Sequence, residues 1–241
     1  MKYTLETIAF TIESCKIAQA AGVHRIELCD NPREGGTTPS YGFIKAARQV
    51  LKIDLFPIIR PRGGDFLYND EEFEIMKSDI LVCKNLECDG VVFGILNDDA
   101  TIDNERCKML VQLAYPMSVT FHRAFDRVTE PLQALEDVIE CAFERILTSG
   151  FYPTAIEGVD NLKKLIQVAD ERIIIMPGSG VRESNIGELA KATAAVEFHS
   201  SARKIQNSNM KVVNNNMNEN LESVGIDQEE IKSMVAILSQ L

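Results

Sequence analysis

The chain has 241 residues, 45% of them hydrophobic and 25% charged, with a formal net charge of −11 at pH 7. That is enough apolar material for one large core, so one domain is expected rather than two. The acidic balance argues against nucleic acid or a membrane surface as partner, because phosphates repel an acidic protein that has no basic block.

Eight short apolar runs, ending at Ala9, Cys29, Arg60, Leu96, His122, Ser149, Pro177 and Ser200, set the rhythm of the chain. The first strand is predicted over Leu5–Ala9, and helix 1 from about Glu13 to Ala21, stopped by Gly22. The second strand, His24–Cys29, leads into a loop over Asp30–Pro39 whose Gly35-Gly36 pair permits close backbone approach. A helix follows from about Ser40 to Leu51. The third strand, Leu55–Arg60, ends in Pro61-Arg62-Gly63-Gly64-Asp65, and Asn69-Asp70-Glu71-Glu72 opens a long helix with its acids where the helix dipole favours them. Later strands are read over Gly90–Leu96, Ser118–His122, Arg145–Ser149, Arg172–Pro177 and Ala195–Ser200. The Asn-rich stretch 204–220 lacks apolar periodicity and reads as a mobile loop, after which Asp227–Leu241 forms the last helix. Strands alternating with helices at a repeat of roughly 20 to 36 residues are βα units. Eight of them make an α/β protein, a (β/α)8 TIM barrel filling residues 1–241, with its working face at the strand C-termini.

No apolar run reaches the roughly 20 residues that span a bilayer. Glu6 interrupts the first apolar segment where a signal peptide would be continuous, so a cytoplasmic protein is expected. Cys15, Cys29, Cys83, Cys88, Cys107 and Cys141 form no CxxC pair and read as reduced thiols, most of them small core residues.

Alternation along each strand sorts side chains between the helices and the barrel interior. With Ile26 and Leu28 facing helices, Glu27 and Cys29 point inward, and the same parity turns Arg60, Thr120, His122, Glu197, His199 and Glu6 inward. A barrel interior is normally layered with Val, Ile and Leu, so these groups must pair with one another, a ligand or a metal. The structural alternative is an ion pair between Arg60 and Glu27 or Glu197. A second signal is Pro177-Gly178-Ser179-Gly180-Val181, opening toward a helix expected near Glu183. A glycine turn there offers backbone N–H groups to an anion or phosphate. Gly178, Ser179 and Gly180 are the candidates, with Ser200 and Ser201 as added hydroxyl donors unless those hydroxyls merely satisfy a turn.

Several segments together resemble one family. They are Arg25-Ile26-Glu27-Leu28-Cys29, Glu34-Gly35-Gly36, Thr38-Pro39-Ser40-Tyr41-Gly42, Ile59-Arg60-Pro61-Arg62-Gly63-Gly64-Asp65-Phe66, Thr120-Phe121-His122-Arg123-Ala124-Phe125-Asp126, Leu147-Thr148-Ser149-Gly150, Gly178-Ser179-Gly180-Val181-Arg182 and Phe198-His199-Ser200-Ser201-Ala202. The chain, to about Arg203, is similar to the CutC copper homeostasis family. The resemblance implies a cytoplasmic barrel, often oligomeric, assigned to copper handling. Where members of that family often carry thiols in the first strand and after the Gly-Gly-Asp-Phe loop, this chain has Ile8, Ala9 and Leu67. Cys29, His122 and His199 remain as candidate copper ligands, since Cu(I) prefers thiolate and imidazole serves copper generally. The alternative reading is an enzyme on a small phosphorylated or carboxylated metabolite. In it Arg60 and Arg123 fix oxygens, and Glu27, His122 and His199 are the remaining catalytic candidates, Glu27 or His122 moving the proton. No strand ends in lysine, which disfavours a Schiff-base aldolase. A helix-covered acidic barrel is also compatible with a homodimer or higher homo-oligomer.

Overall fold

Local chemistry sets the element ends throughout the computed structural model, which describes residues 3–241. β1 (Thr4–Ala9) passes into α1 (Ile12–Ala21), which is capped by Thr11 accepting from the Ser14 amide and ends where Gly22 takes φ 94°. β2 (Arg25–Leu28) is followed by α2 (Tyr41–Val50), capped by Ser40. β3 (Asp54–Pro57) precedes α3 (Asp70–Asn85), where Asn69 and Glu72 form a reciprocal capping box. The alternation continues through β4 (Gly90–Phe93), α4 (Asn104–Ala114), β5 (Ser118–Phe121), α5 (Pro131–Glu140), β6 (Arg145–Thr148) and α6 (Val159–Ala169). β7 (Ile174–Pro177), α7 (Ile186–Thr193) and β8 (Glu197–Ser200) complete the ring of strands.

All eight strands run parallel, in two hydrogen-bonded groups ordered β3-β2-β1-β8 and β4-β5-β6-β7. The groups join at β3 and β4, where the Ile59 amide donates to the Val92 carbonyl at 2.8 Å. On the far side β7 lies against β8: a Cβ built on Gly178 would stand 3.3 Å from that of His199. The result is a (β/α)8 TIM barrel. Outward side chains such as Leu5, Ile26, Leu28, Phe121, Ile146 and Phe198 are fully buried under the helices, each worth about 1.5–3 kcal/mol. The inward apolar set is small, comprising Ile8, Cys29, Phe56, Ile58 and Val92. Met176, beside Arg25, and Leu147, on the cavity wall, add to it, and the remaining interior side chains are largely polar.

The ladders stop one to three residues short of several expected strand ends, at Leu28, Pro57, Phe93, Phe121 and Thr148. Cys29, Arg60, His122 and Ser149 thus fall just beyond the paired segments, and of these Arg60 and His122 turn toward the barrel mouth. Part of the expected loop at 204–220 is ordered as strand: β9 (Arg203–Gln206) pairs antiparallel with β10 (Ser223–Ile226) ahead of α8 (Gln228–Ser239). All four β9 residues are exposed, so backbone pairing rather than apolar burial forms this strand, and hydropathy carries no trace of it. α7 begins at Ile186 rather than near Glu183, because the Arg182 amide first donates to the Asn185 side chain at 2.8 Å. No helix among the described residues is long and apolar enough to cross a membrane.

Candidate functional site

The lower interior is closed by an ion-pair network. Arg25 donates from Nε to Glu6 and from Nη2 to Glu197, both at 2.5 Å, and Arg145 Nε reaches Glu197 at 3.2 Å. Both guanidiniums lie over the Phe56 ring, at 4.9 and 5.4 Å from its centre. Thr120 accepts from Arg145 at 3.4 Å. The structural pairing expected in the interior is therefore real, but Arg25 and Arg145 carry it; Arg60 pairs with neither Glu27 nor Glu197. The sequence held the signal for Arg25, which shares its strand parity with Glu27 and Cys29.

One layer higher, β1, β2 and β8 bring three ligand-type side chains together. In the ladder Glu6 stands beside His199. His199 Nδ1 lies 2.7 Å from Glu6 Oε1, and His199 Nε2 lies 3.7 Å from Glu27 Oε2. All three are buried, and within each pair of them ligand atoms lie within 4.8 Å. Burial works against the Glu6 carboxylate, but Arg25 and His199 outweigh it and hold its pKa down at about 2. Burial pushes Glu27 up to about 7, with His199 opposing. His199 itself is raised: burial disfavours its charge, and Glu6 and Glu27 overcome that. The ring is thus held from behind by a permanent carboxylate that fixes Nδ1 as the protonated nitrogen, leaving Nε2 toward Glu27.

Above this layer opens a cavity of about 350 Å³, lined among others by Glu27, Arg60, His122, Arg123, His199 and Arg203. Arg60 is 5% exposed and braces two loops, donating from Nη1 to the Glu34 and Gly36 carbonyls and from Nη2 to Gly64. Phe66 packs under its guanidinium at 5.0 Å. Tyr68 stands beside it, its hydroxyl pushed up to about 12 by burial. His122 accepts the Ala124 amide at Nδ1, and burial together with Arg60 holds its pKa down at about 3. Among the described residues, Arg60 Nε and His122 Nε2 are buried without a hydrogen-bond partner.

The remaining sequence candidates divide. Cys29 is fully buried in the inner apolar cluster, against Gly36, and does not line the cavity. Burial, with Glu27 and Glu6 behind it, raises its pKa well above a free thiol's, which disfavours the thiolate that would bind a soft metal. Neither Cys29 nor His122 joins the Glu6, Glu27, His199 group. Arg123 does reach the cavity but is also clamped to Asp126 at 2.7 Å and to the Ser149 hydroxyl at 2.8 Å. Ser179 and Gly180, both at positive φ, line the cavity with Ser201. Gly178 sits lower, where a side chain would collide with Leu147. Ser200 is spent on the turn, donating to the Val181 carbonyl at 2.6 Å and accepting from the Ala202 amide.

The profile of the CutC family matches residues 3–204. A CutC family protein of Parabacteroides distasonis is 47% identical over 98% of this chain and all of its own length. The human protein named copper homeostasis protein cutC homolog is 45% identical over 89% of this chain and 79% of its own. The solved structure of the CutC protein from Streptococcus agalactiae superposes with a TM-score of 0.79 at 36% identity, covering 83% of this chain and 98% of that one.

Proposed function

The chain belongs to the CutC family, and from that premise we propose that it handles copper as its relatives' names describe, holding the divalent ion between Glu27 and His199 at the mouth of the barrel. The observation that carries this reading is the 3.7 Å separation of His199 Nε2 and Glu27 Oε2. Two ligand atoms each about 2.0–2.1 Å from one first-row ion stand at such a distance when the angle at the metal is wide. Behind them, Glu6 accepts from His199 Nδ1 at 2.7 Å, the carboxylate-to-imidazole contact that orients metal-binding histidines and raises their basicity.

The donor set is nitrogen and oxygen, which suits Cu(II); Cu(I) would call for sulfur. Cys29, the sequence's candidate sulfur donor, is buried, protonated and off the cavity wall. Copper enters here as cargo, so the chain's own part is to present two preoriented donors at an open cavity.

Competition of Cu(II) against a chelator tests the reading. Glu27→Gln and His199→Gln should each weaken binding by at least about tenfold, or 1.4 kcal/mol, while Cys29→Ser leaves it unchanged. Wild-type affinity in both Glu27→Gln and His199→Gln overturns the site.

A further inference from the structure

The chain has 12 arginines by its sequence. Eight of them, Arg25, Arg48, Arg62, Arg106, Arg123, Arg145, Arg172 and Arg182, lie within 4.0 Å of a carboxylate. Among the described residues the other four, Arg33, Arg60, Arg127 and Arg203, have no carboxylate within 4.0 Å, and all four line two adjoining recesses at the barrel mouth, where Glu27 and Glu34 are the acidic neighbours. Arg60 and Arg203 line the cavity at the barrel mouth. Past Gly35, Arg60 and Phe66, which line both, the cavity continues into a recess walled by Arg33 and Arg127.

In a protein of net charge −11, carboxylates are abundant enough to neutralise every guanidinium, and everywhere else they do. Leaving four cations unpaired around one concave surface concentrates positive potential there and draws in anions. Arg60 is the sharpest case. It is buried, its partners are carbonyls, and carbonyl dipoles solvate a charge without cancelling it. Among the described residues its Nε, the neighbouring His122 Nε2 and the hydroxyl of Tyr68 beside it are buried without a hydrogen-bond partner. With Nδ1 accepting from Ala124, neutral His122 carries its proton on Nε2, so both nitrogens are donors lacking an acceptor.

We propose that this arginine-lined mouth is a binding site for a small, multiply charged oxyanion, a metabolite bearing a phosphate ester or several carboxylates. One anionic group is taken by Arg60 and His122 Nε2, and a second is held by Arg127 or Arg203 along the cleft. Guanidinium forks match the planar or tetrahedral oxyanion and supply two donors at once. The inference does not rest on copper binding, since none of these groups is a ligand in the reading above.

The probes are inorganic pyrophosphate and citrate, titrated calorimetrically into the full chain after metal has been removed from protein and buffer on a chelating resin, with ionic strength fixed. Saturable binding with a Kd below about 1 mM is expected. Arg127→Gln and Arg203→Gln, whose side chains form no ion pair among the described residues, Arg203 lying over the Phe10 ring at 5.4 Å, should each weaken it by at least about fivefold. Arg172→Gln, which removes the same charge from the Glu136 pair, should not. Pyrophosphate binding tighter than citrate identifies the phosphate-ester class, and the reverse order the polycarboxylate class. Absence of saturation up to about 10 mM, or an equal loss in Arg172→Gln, overturns the site. Because metal is removed beforehand, that failure would leave the copper reading untouched, and failure of copper binding would leave this one.

Discussion

His122 makes the stability of this protein depend on pH in a way that one substitution isolates. Its imidazole, 4% exposed, is held at a pKa of about 3 against an ordinary value of 6.5, first by burial and then by Arg60. The unfolded chain therefore takes up a proton that the folded one refuses. Since the folded pKa is depressed, the contribution is fully present above pH 6.5 and is lost as pH falls toward 3. Between about pH 7.5 and 4.5 the unfolded state gains close to two units of protonation free energy at 1.36 kcal/mol each, roughly 2.7 kcal/mol. His122→Asn removes the titrating ring and retains a side-chain oxygen to cap the Ala124 amide, as His122 Nδ1 does. Urea unfolding of both proteins across this range should show the wild type losing about 2–3 kcal/mol more than the variant. Because His24 and His199 are common to both, the difference reports His122 alone. Parallel stability profiles would refute the burial of a neutral imidazole beside Arg60.

Other perturbations follow from the same geometry. Arg25→Met should cost about 3–5 kcal/mol in denaturant unfolding, because it removes the cation shared by Glu6 and Glu197 and leaves these buried carboxylates with only His199 and Arg145; a loss under about 1 kcal/mol would mean that water reaches this layer. Gly90→Ala should destabilise by about 1–3 kcal/mol, since the new methyl is driven into the Phe56 ring, and Phe56→Leu in that background should recover part of the loss. All six cysteines are buried, so the native protein should be inert to a thiol reagent such as Ellman's until it unfolds. Rapid labelling of a single thiol under native conditions would contradict the placement of Cys29.

Much of the architecture is legible in the sequence, because the features that specify a barrel are local. Gly22, Ser40 and Asn69 cap or stop helices at the expected places. Strand parity correctly turns Glu6, Glu27 and His199 to one interior. What parity leaves unread is pairing across the barrel. Arg25 was open to the same argument as Glu27, yet its role depends on Glu6 at 19 residues' separation and Glu197 at 172, and no periodicity carries such distances. The β9–β10 hairpin escapes for a related reason: its stability is in the ladder, and its first strand is exposed at every position.

The glycine turn and the copper ligands show where residue type alone misleads. Ser200 and Ser179 look alike as hydroxyl donors, but Ser200 is consumed by Val181 and Ala202, and Ser179 by the Pro153 carbonyl. The Gly178 amide of that turn is likewise committed, to the Thr148 carbonyl, whereas the guanidinium without a carboxylate lies across the mouth at Arg60. Cys29 misleads in the opposite sense. A thiol at a strand end beside arginines suggests a thiolate, but two carboxylates in the same interior and complete burial reverse the sign. Whether an arginine is spoken for is a property of the whole fold, since every carboxylate must first be assigned to a partner. Once that is done, the four guanidiniums left over line two adjoining recesses that share Arg60. This convergence separates a site that awaits an anion from a scatter of surface charge.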